Sequence, residues 1–250
     1  MSYIVLIYHE VFYKPLLNGL LVLTSVLPWN DLGFSVILLT VILRLIMFPL
    51  THKMIRTQRK MKEIEPELKK IQSEKKNKEE QGRAVMDLYK KHSINPFSGF
   101  VNILIQFPLL FAMYKVFWTG IPFKIGDIYG FLAIPAHINV MFLGLINLSV
   151  PNIFLAGLAA ASQFLQVKLA MPPATTNAGG SGSAAGAKPD IGTMMQKQML
   201  YMFPVLIFLI GFNLPAAVAL YWTTMNVFAI VHEATVRNNA KNERRQQTTN

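Results

Sequence analysis

The sequence predicts an all-α polytopic membrane protein, with five transmembrane helices and a cytosolic helical hairpin between the first two. Three observations carry that prediction. The chain is 52% hydrophobic and 15% charged, with a mean hydropathy of +0.36, which is membrane-protein composition. It holds five apolar runs, each close to the roughly 20 residues that a bilayer core of about 30 Å demands of a helix. Finally, 20 of the 24 Lys and Arg residues fall in alternate loops, 51–93, 168–197 and 234–250, which places those loops on the cytosolic side.

Residues 1–32 are read as an extracytoplasmic N-terminus whose "KPLLNGLLVLTSVLPWND" stretch forms an interfacial helix, with Trp29 as its anchor. This end has neither the basic first region nor the small-residue cleavage site of a signal peptide, so it is read as mature sequence. The first span is expected at 33–50 and the second at 98–118. Between them, 51–97 is a basic loop with internal order. Met61, Ile64, Leu68 and Ile71 recur at helical spacing, and Val85, Leu88 and Tyr89 form a second stripe, so two amphipathic helices can bury the stripes against each other. Pro66 makes the first of those helices kink or restart.

An extracytoplasmic loop, 119–146, leads to the third span at 147–167. The Gly- and Ser-rich part of loop 168–197 cannot bury enough apolar surface to offset its ordering entropy and is read as a flexible cytosolic linker. The fourth and fifth spans are expected at 198–213 and 215–233, followed by a basic cytosolic tail, 234–250. Loops 1–32 and 119–146 carry only Lys14 and Lys124 as basic residues, so the N-terminus is outside and the C-terminus inside. Lys115, Phe117 and Trp118 read as interface anchors at the outer end of the second span.

Soluble-enzyme chemistry has no home in this pattern. The chain lacks cysteine, which excludes thiolate catalysis, disulfides and iron–sulfur ligation. Its histidines at 9, 52, 92, 137 and 232 never take the i, i+4 spacing of a helical zinc site, and no phosphate-binding glycine loop occurs. The expectation is a non-enzyme without metal or cofactor.

The chemistry sits in Arg44, inside the first span. Thirteen of residues 33–50 are strongly apolar, each contributing roughly −0.3 to −0.6 kcal/mol to insertion against about +2.5 to +3.5 for a central arginine, so the span still inserts. The five spans contain no Asp or Glu except Glu233 at the last cytosolic end, so the guanidinium has no counter-ion of its own. Two readings solvate it. Its stem can snorkel to the cytosolic headgroups, or a water-filled hollow between helices can hold it as a fixed positive charge. Thr40 on the same face, Asn102 and Gln106, Gln163, and Thr223, Thr224 and Asn226 supply polar groups from four spans and favour the hollow; each alone is more often an interhelical hydrogen bond.

"WNDLGFSVILLTVILRLIMFPLTHKM", the basic hairpin, "INPFSGFVNILIQFPLLFAMY" and "QKQMLYMFPVLIFLIGFNLPAAVALYWTTMNVFAIVHE", in that order, resemble the YidC/Oxa-type membrane protein insertases from about residue 15 to 235. The resemblance implies a cytosol-open hydrophilic groove that receives the polar tails of short membrane proteins while their apolar segments slide out along the second and fifth spans. It implies Arg44 as the groove charge, Thr40, Gln106 and Asn226 as substrate-binding polar residues, and Trp222 as the aromatic contact for the emerging helix. It further implies nascent membrane proteins as clients, and the ribosome, targeting factors or a Sec-type translocon as partners, beside membrane lipids. The expected setting is the bacterial plasma (inner) membrane, with function as a monomer.

The chain departs from the family at Asn102, where proline is common, and at Ala216 and Ala217, where a Ser-Gly pair is common. It lacks the large extracytoplasmic domain and so resembles the short forms, though without their lipoprotein cysteine. Two other classes stay open: a small-solute transporter or channel, and a scaffold whose hairpin binds lipid or ribosome.

Overall fold

The structure, a computed structural model, describes residues 3–74, 77–95, 98–118, 125–132, 137–170 and 191–249. The chain divides into two compact units, 1–44 with 112–233 and 45–111 with 234–250. It is mostly helical, as expected.

The first unit opens with α1 (Tyr3–Tyr8), a π-helical turn (His9–Tyr13) and α2 (Lys14–Val26). Leu16, Leu17, Leu20, Leu21 and Thr24 make one buried face of α2, the pattern that a 3.6-residue period gives. That face is packed inward: Gly19 lies against Leu39, and the Thr24 hydroxyl donates to Ser35 Oγ at 3.0 Å. The helix expected to rest on lipid therefore runs along its neighbour in the chain. Leu27 turns extended ahead of Pro28, as a residue preceding proline is steered to do. Trp29 and Asn30 then take left-handed backbone conformations that reverse the chain, with the Trp29 side chain standing outward, 79% exposed.

The third helix, α3 (Leu32–Ile46), starts at a cap in which Asp31 Oδ1 accepts from the backbone N–H of Gly33 and Phe34 at 2.7 and 3.2 Å. It stops at Met47, short of the predicted 50, because a new helix begins there with Pro49 in its first turn. This unit also holds residues 112–118 at the end of a helix that starts in the second unit, α8 (Ile153–Ala170), α9 (Ile191–Asn213) and α10 (Ala216–Thr249) as far as Glu233. The α8 start lies six residues past the expected boundary of 147. Residues Met141–Phe142 and Ile146–Asn147 instead pair as a two-stranded hairpin, β1–β2, and Asn152 caps the helix by accepting from Leu155 N–H. Small residues bring helices close: Gly211 of α9 sits against Ala156 of α8 and Ala219 of α10.

The amino ends of α3, α8 and α10 gather at one loop cluster. Leu32 N–H donates to Asn139 O, Leu148 N–H to Val140 O, and Ala216 and Ala217 N–H to Val150 O and Leu148 O, all at 2.9–3.1 Å.

The second unit holds α4 (Phe48–Glu63), α5 (Glu65–Glu74), α6 (Lys78–Lys91), the first part of α7 (Ser98–Trp118) and the last part of α10. The hairpin packs the side chains of its expected stripes apart from Val85. Ile64, Leu88 and Ile94 form its buried core, with Met61, Leu68, Ile71 and Tyr89 packed around them. Helix α5 restarts at Glu65 with Pro66 in its first turn, where a missing N–H costs nothing. Asn77 caps α6 by accepting from Glu79 N–H at 3.0 Å. Helix α10 runs on past 233 without a break, and the Arg59 guanidinium donates to its Val236 carbonyl at 2.6 Å.

Among the described residues, α8 is long and apolar enough to cross a membrane, and α3 with α4 makes a second, broken stretch. Residues Phe107–Trp118 and Leu200–Asn213 form shorter apolar helices. The 21 residues of α7 reach about 31 Å at roughly 1.5 Å each.

Candidate functional site

Helix α3 positions the arginine. Its buried stripe, Leu32, Ser35, Val36, Leu39 and Thr40, advances by three and four residues, and the next position on that face is Arg44. Phe34, Leu38, Ile42 and Leu45 make the opposite, exposed stripe. Arg44 is thus half-buried on the protein-facing side of its helix. Among the described residues, its guanidinium makes no hydrogen bond and no ion pair. Thr40 is 1% exposed and donates to the Val36 carbonyl at 2.6 Å. Its hydroxyl proton is spent on its own helix.

Helices α8 and α10 meet through a short polar ladder. The Trp222 indole N–H donates to Gln163 Oε1 at 3.1 Å, and Gln163 Nε2 donates to Gln166 Oε1 at 3.1 Å. One turn on, Asn226 Nδ2 donates to Ser162 Oγ at 3.1 Å and reaches the Ala159 carbonyl at 3.5 Å. Residues 222 and 226 share a face of α10, while 159, 162, 163 and 166 share one of α8. Trp222 and Asn226 are both buried. Thr223 and Thr224 bond the carbonyls of Ala219 and Leu220 on their own helix. For Gln163, Asn226, Thr223 and Thr224, then, local or interhelical hydrogen bonding accounts for the polar group. The side chains of Asn102, Gln106, Lys241, Arg244 and Arg245 lie outside the described residues, as does the Gly-rich linker 171–190.

A polar cluster that the sequence reading did not pick out ties the N-terminal helices to residues 125–129. His9 Nε2 approaches Asp127 Oδ1 and His9 Nδ1 approaches Glu10 Oε1, each at 3.2 Å, and Lys14 Nζ pairs with Glu10 at 2.8 Å. Buried Asn18 donates to the carbonyls of Lys14 and Asp127 and accepts from Tyr129 N–H. The hydrogen bond from Lys14 holds the Glu10 carboxyl below its ordinary range and pushes the Lys14 ammonium up. Lys115, expected to be an interface anchor, stands over the Tyr13 ring at 4.2 Å. The only sequence signal for the cluster was an isolated Asn on an apolar helix face, a group that burial obliges to find partners.

A family model described as 60Kd inner membrane protein matches residues 23–244. The chain belongs to the YidC/Oxa family. A membrane protein insertase YidC from Fusobacterium nucleatum is 31% identical over 205 residues, which is 82% of this YidC-family chain and 85% of that protein. The insertase YidC of Rickettsia bellii is 30% identical over 214 residues, 82% of this chain and 35% of the longer relative. A crystal structure of an active YidC insertase aligns with a TM-score of 0.56 at 21% identity, covering 90% of this chain and 45% of that one. The YidC fold is therefore shared, and the chain spans about a third of the Rickettsia protein's length.

Proposed function

We propose that this chain is a membrane protein insertase of the bacterial inner membrane, acting without covalent chemistry, cofactor or metal. The observation that carries the reading is Arg44: a half-buried guanidinium on the protein-facing stripe of α3 with no hydrogen bond or ion pair among the described residues. A permanent charge in that setting attracts acidic groups more strongly than it would in bulk water, because the surrounding dielectric is lower. In this mechanism a cytosol-open groove among five spans presents Arg44 to the hydrophilic tail of a nascent client. The cation lowers the cost of bringing that tail partway into the bilayer, and the apolar segment leaves sideways into lipid. Gln106 lines the groove, and Thr40 supplies its remaining acceptor lone pairs.

The ladder adds a condition. Trp222 meets an emerging client helix only when its bond to Gln163 opens, and Asn226 binds client only by leaving Ser162. Gathering of the α3, α8 and α10 amino ends at one loop cluster supports odd-numbered spans running in the same direction, and the Lys and Arg asymmetry of the loops sets that direction as N-terminus out and C-terminus in. The basic hairpin and tail recruit the ribosome, targeting factors or a Sec-type translocon, or rest on anionic lipid; a single copy suffices.

Arg44→Ala separates this from the scaffold reading. An insertase loses insertion of clients with acidic tails, and Arg44→Lys retains part of it, whereas a scaffold keeps both. A transporter or channel would instead lose solute flux into proteoliposomes. Photocrosslinkers at positions 106 and 222 should capture a nascent membrane protein; capture from neither position would remove the groove model's main support.

A further inference from the structure

The hairpin β1–β2 exposes a tip that a water-facing loop would not carry. Leu143 is 59% and Leu145 80% exposed, flanking Gly144. Leu143 takes a left-handed backbone (φ 54°), a conformation that favours Gly or Asn over a bulky side chain. No charged residue occurs between His137 and Lys168. The root of the hairpin is fixed where α3, α8 and α10 begin, through the backbone bonds of Asn139, Val140, Leu148 and Val150. Phe142 packs on Gly33 and meets the Phe34 ring edge-on at 5.5 Å. Phe34 heads the exposed stripe Phe34, Leu38, Ile42 and Leu45 of α3. The tip therefore continues an outward apolar stripe of a membrane helix at that helix's first turn, the depth at which the hydrocarbon gives way to headgroups.

We propose that the Leu143–Gly144–Leu145 tip inserts into the outer leaflet interface and holds the extracytoplasmic end of α3 at a fixed depth in lipid. The occupant is bilayer lipid, because the neighbouring surface is a helix stripe of a membrane-protein family and the segment offers no charge for an aqueous or acidic partner.

The chain has no cysteine, so single cysteines report cleanly. Leu145→Cys, Leu38→Cys as a lipid-facing reference and Glu80→Cys as a water-facing reference are each labelled with an environment-sensitive fluorophore. The full chain is then reconstituted into phosphatidylethanolamine–phosphatidylglycerol vesicles. Position 145 should match position 38: blue-shifted, quenched by nitroxide-bearing lipid, and several-fold less quenched by aqueous iodide than position 80. Leu143→Asn, which suits the left-handed backbone, should keep the fold and reduce lipid quenching at 145. Iodide access at 145 equal to that at 80 overturns the proposal. Protection from iodide without lipid quenching also overturns it, since a second copy or another protein would then be the cover.

Discussion

Replacing Gln163 by Leu should destabilise the protein by about 1–3 kcal/mol, and replacing Asn226 by Leu by only about 0.6. Asn is nearly isosteric with Leu and Gln is one chain atom longer, so apart from that small packing loss the difference comes from what each leaves behind. Gln163→Leu strips the acceptor from the buried Trp222 indole N–H, and a buried donor without a partner costs about 1–3 kcal/mol. Asn226→Leu removes a donor from Ser162 Oγ, but the Ser162 hydroxyl keeps its own bond to the Ala159 carbonyl at 2.9 Å. That loss is near the roughly 0.6 kcal/mol average for interhelical hydrogen bonds in membranes. A double-mutant cycle isolates the pair. Trp222→Phe shrinks the same ring in either background, so the packing loss cancels, while the hydrogen-bond term of about 1 kcal/mol or more remains as coupling. Equilibrium unfolding in mixed detergent micelles, followed by far-UV circular dichroism, measures all four corners. Equal losses for Gln163→Leu and Asn226→Leu, or a coupling within about 0.3 kcal/mol of zero, would refute the ladder.

The same substitution should have opposite signs at two glycines. A Cβ at Gly33 runs into the Phe142 ring, so Gly33→Ala should cost about 1–3 kcal/mol in overpacking; Gly82 in α6 has open space around it, so Gly82→Ala should gain about 0.5–1 kcal/mol by thermal melting. Leu88→Ala, in the buried core of the hairpin, should cost about 2 kcal/mol or more and expose residues 51–93 to protease, whereas Met86→Ala on the exposed face should change digestion little. The lowered Glu10 pKa makes its contribution present above the ordinary value of 4.5 and lost as pH falls through the depressed folded value. Thermal stability of the wild type should accordingly drop on acidification from about pH 5 more steeply than that of Glu10→Gln.

Element existence was legible where one period dominated. The 3, 4, 3 spacing of Met61, Ile64, Leu68 and Ile71 foretold which side chains close the hairpin, and Pro66 foretold the restart at Glu65. A helix covers 98–118, the range expected for the second span. Boundaries failed where an apolar run hid a change of backbone: residues 141–147 are as apolar as the helix that follows, and only Asn152 and Pro151 mark the true start of α8. Arg44 stood out from the sequence because a charge among hydrocarbons is costly wherever it lies. The fates of Trp222 and Asn226 did not, because their partners come from α8, sixty or so residues away, and pairing at that separation leaves no periodic trace. The cluster of His9, Glu10, Lys14 and Asp127 was hidden for the same reason.

Where Gly211, Ala156 and Ala219 meet, three helices touch through atoms that possess no rotamers. Long side chains at a helix contact can reshuffle and let the backbones slide by degrees; methyl groups and hydrogens cannot. That junction offers the three backbones no gradual slide, so α8, α9 and the start of α10 keep one spacing there, and the Trp222–Gln163 and Asn226–Ser162 bonds farther along α10 can open by side-chain rotation without disturbing it.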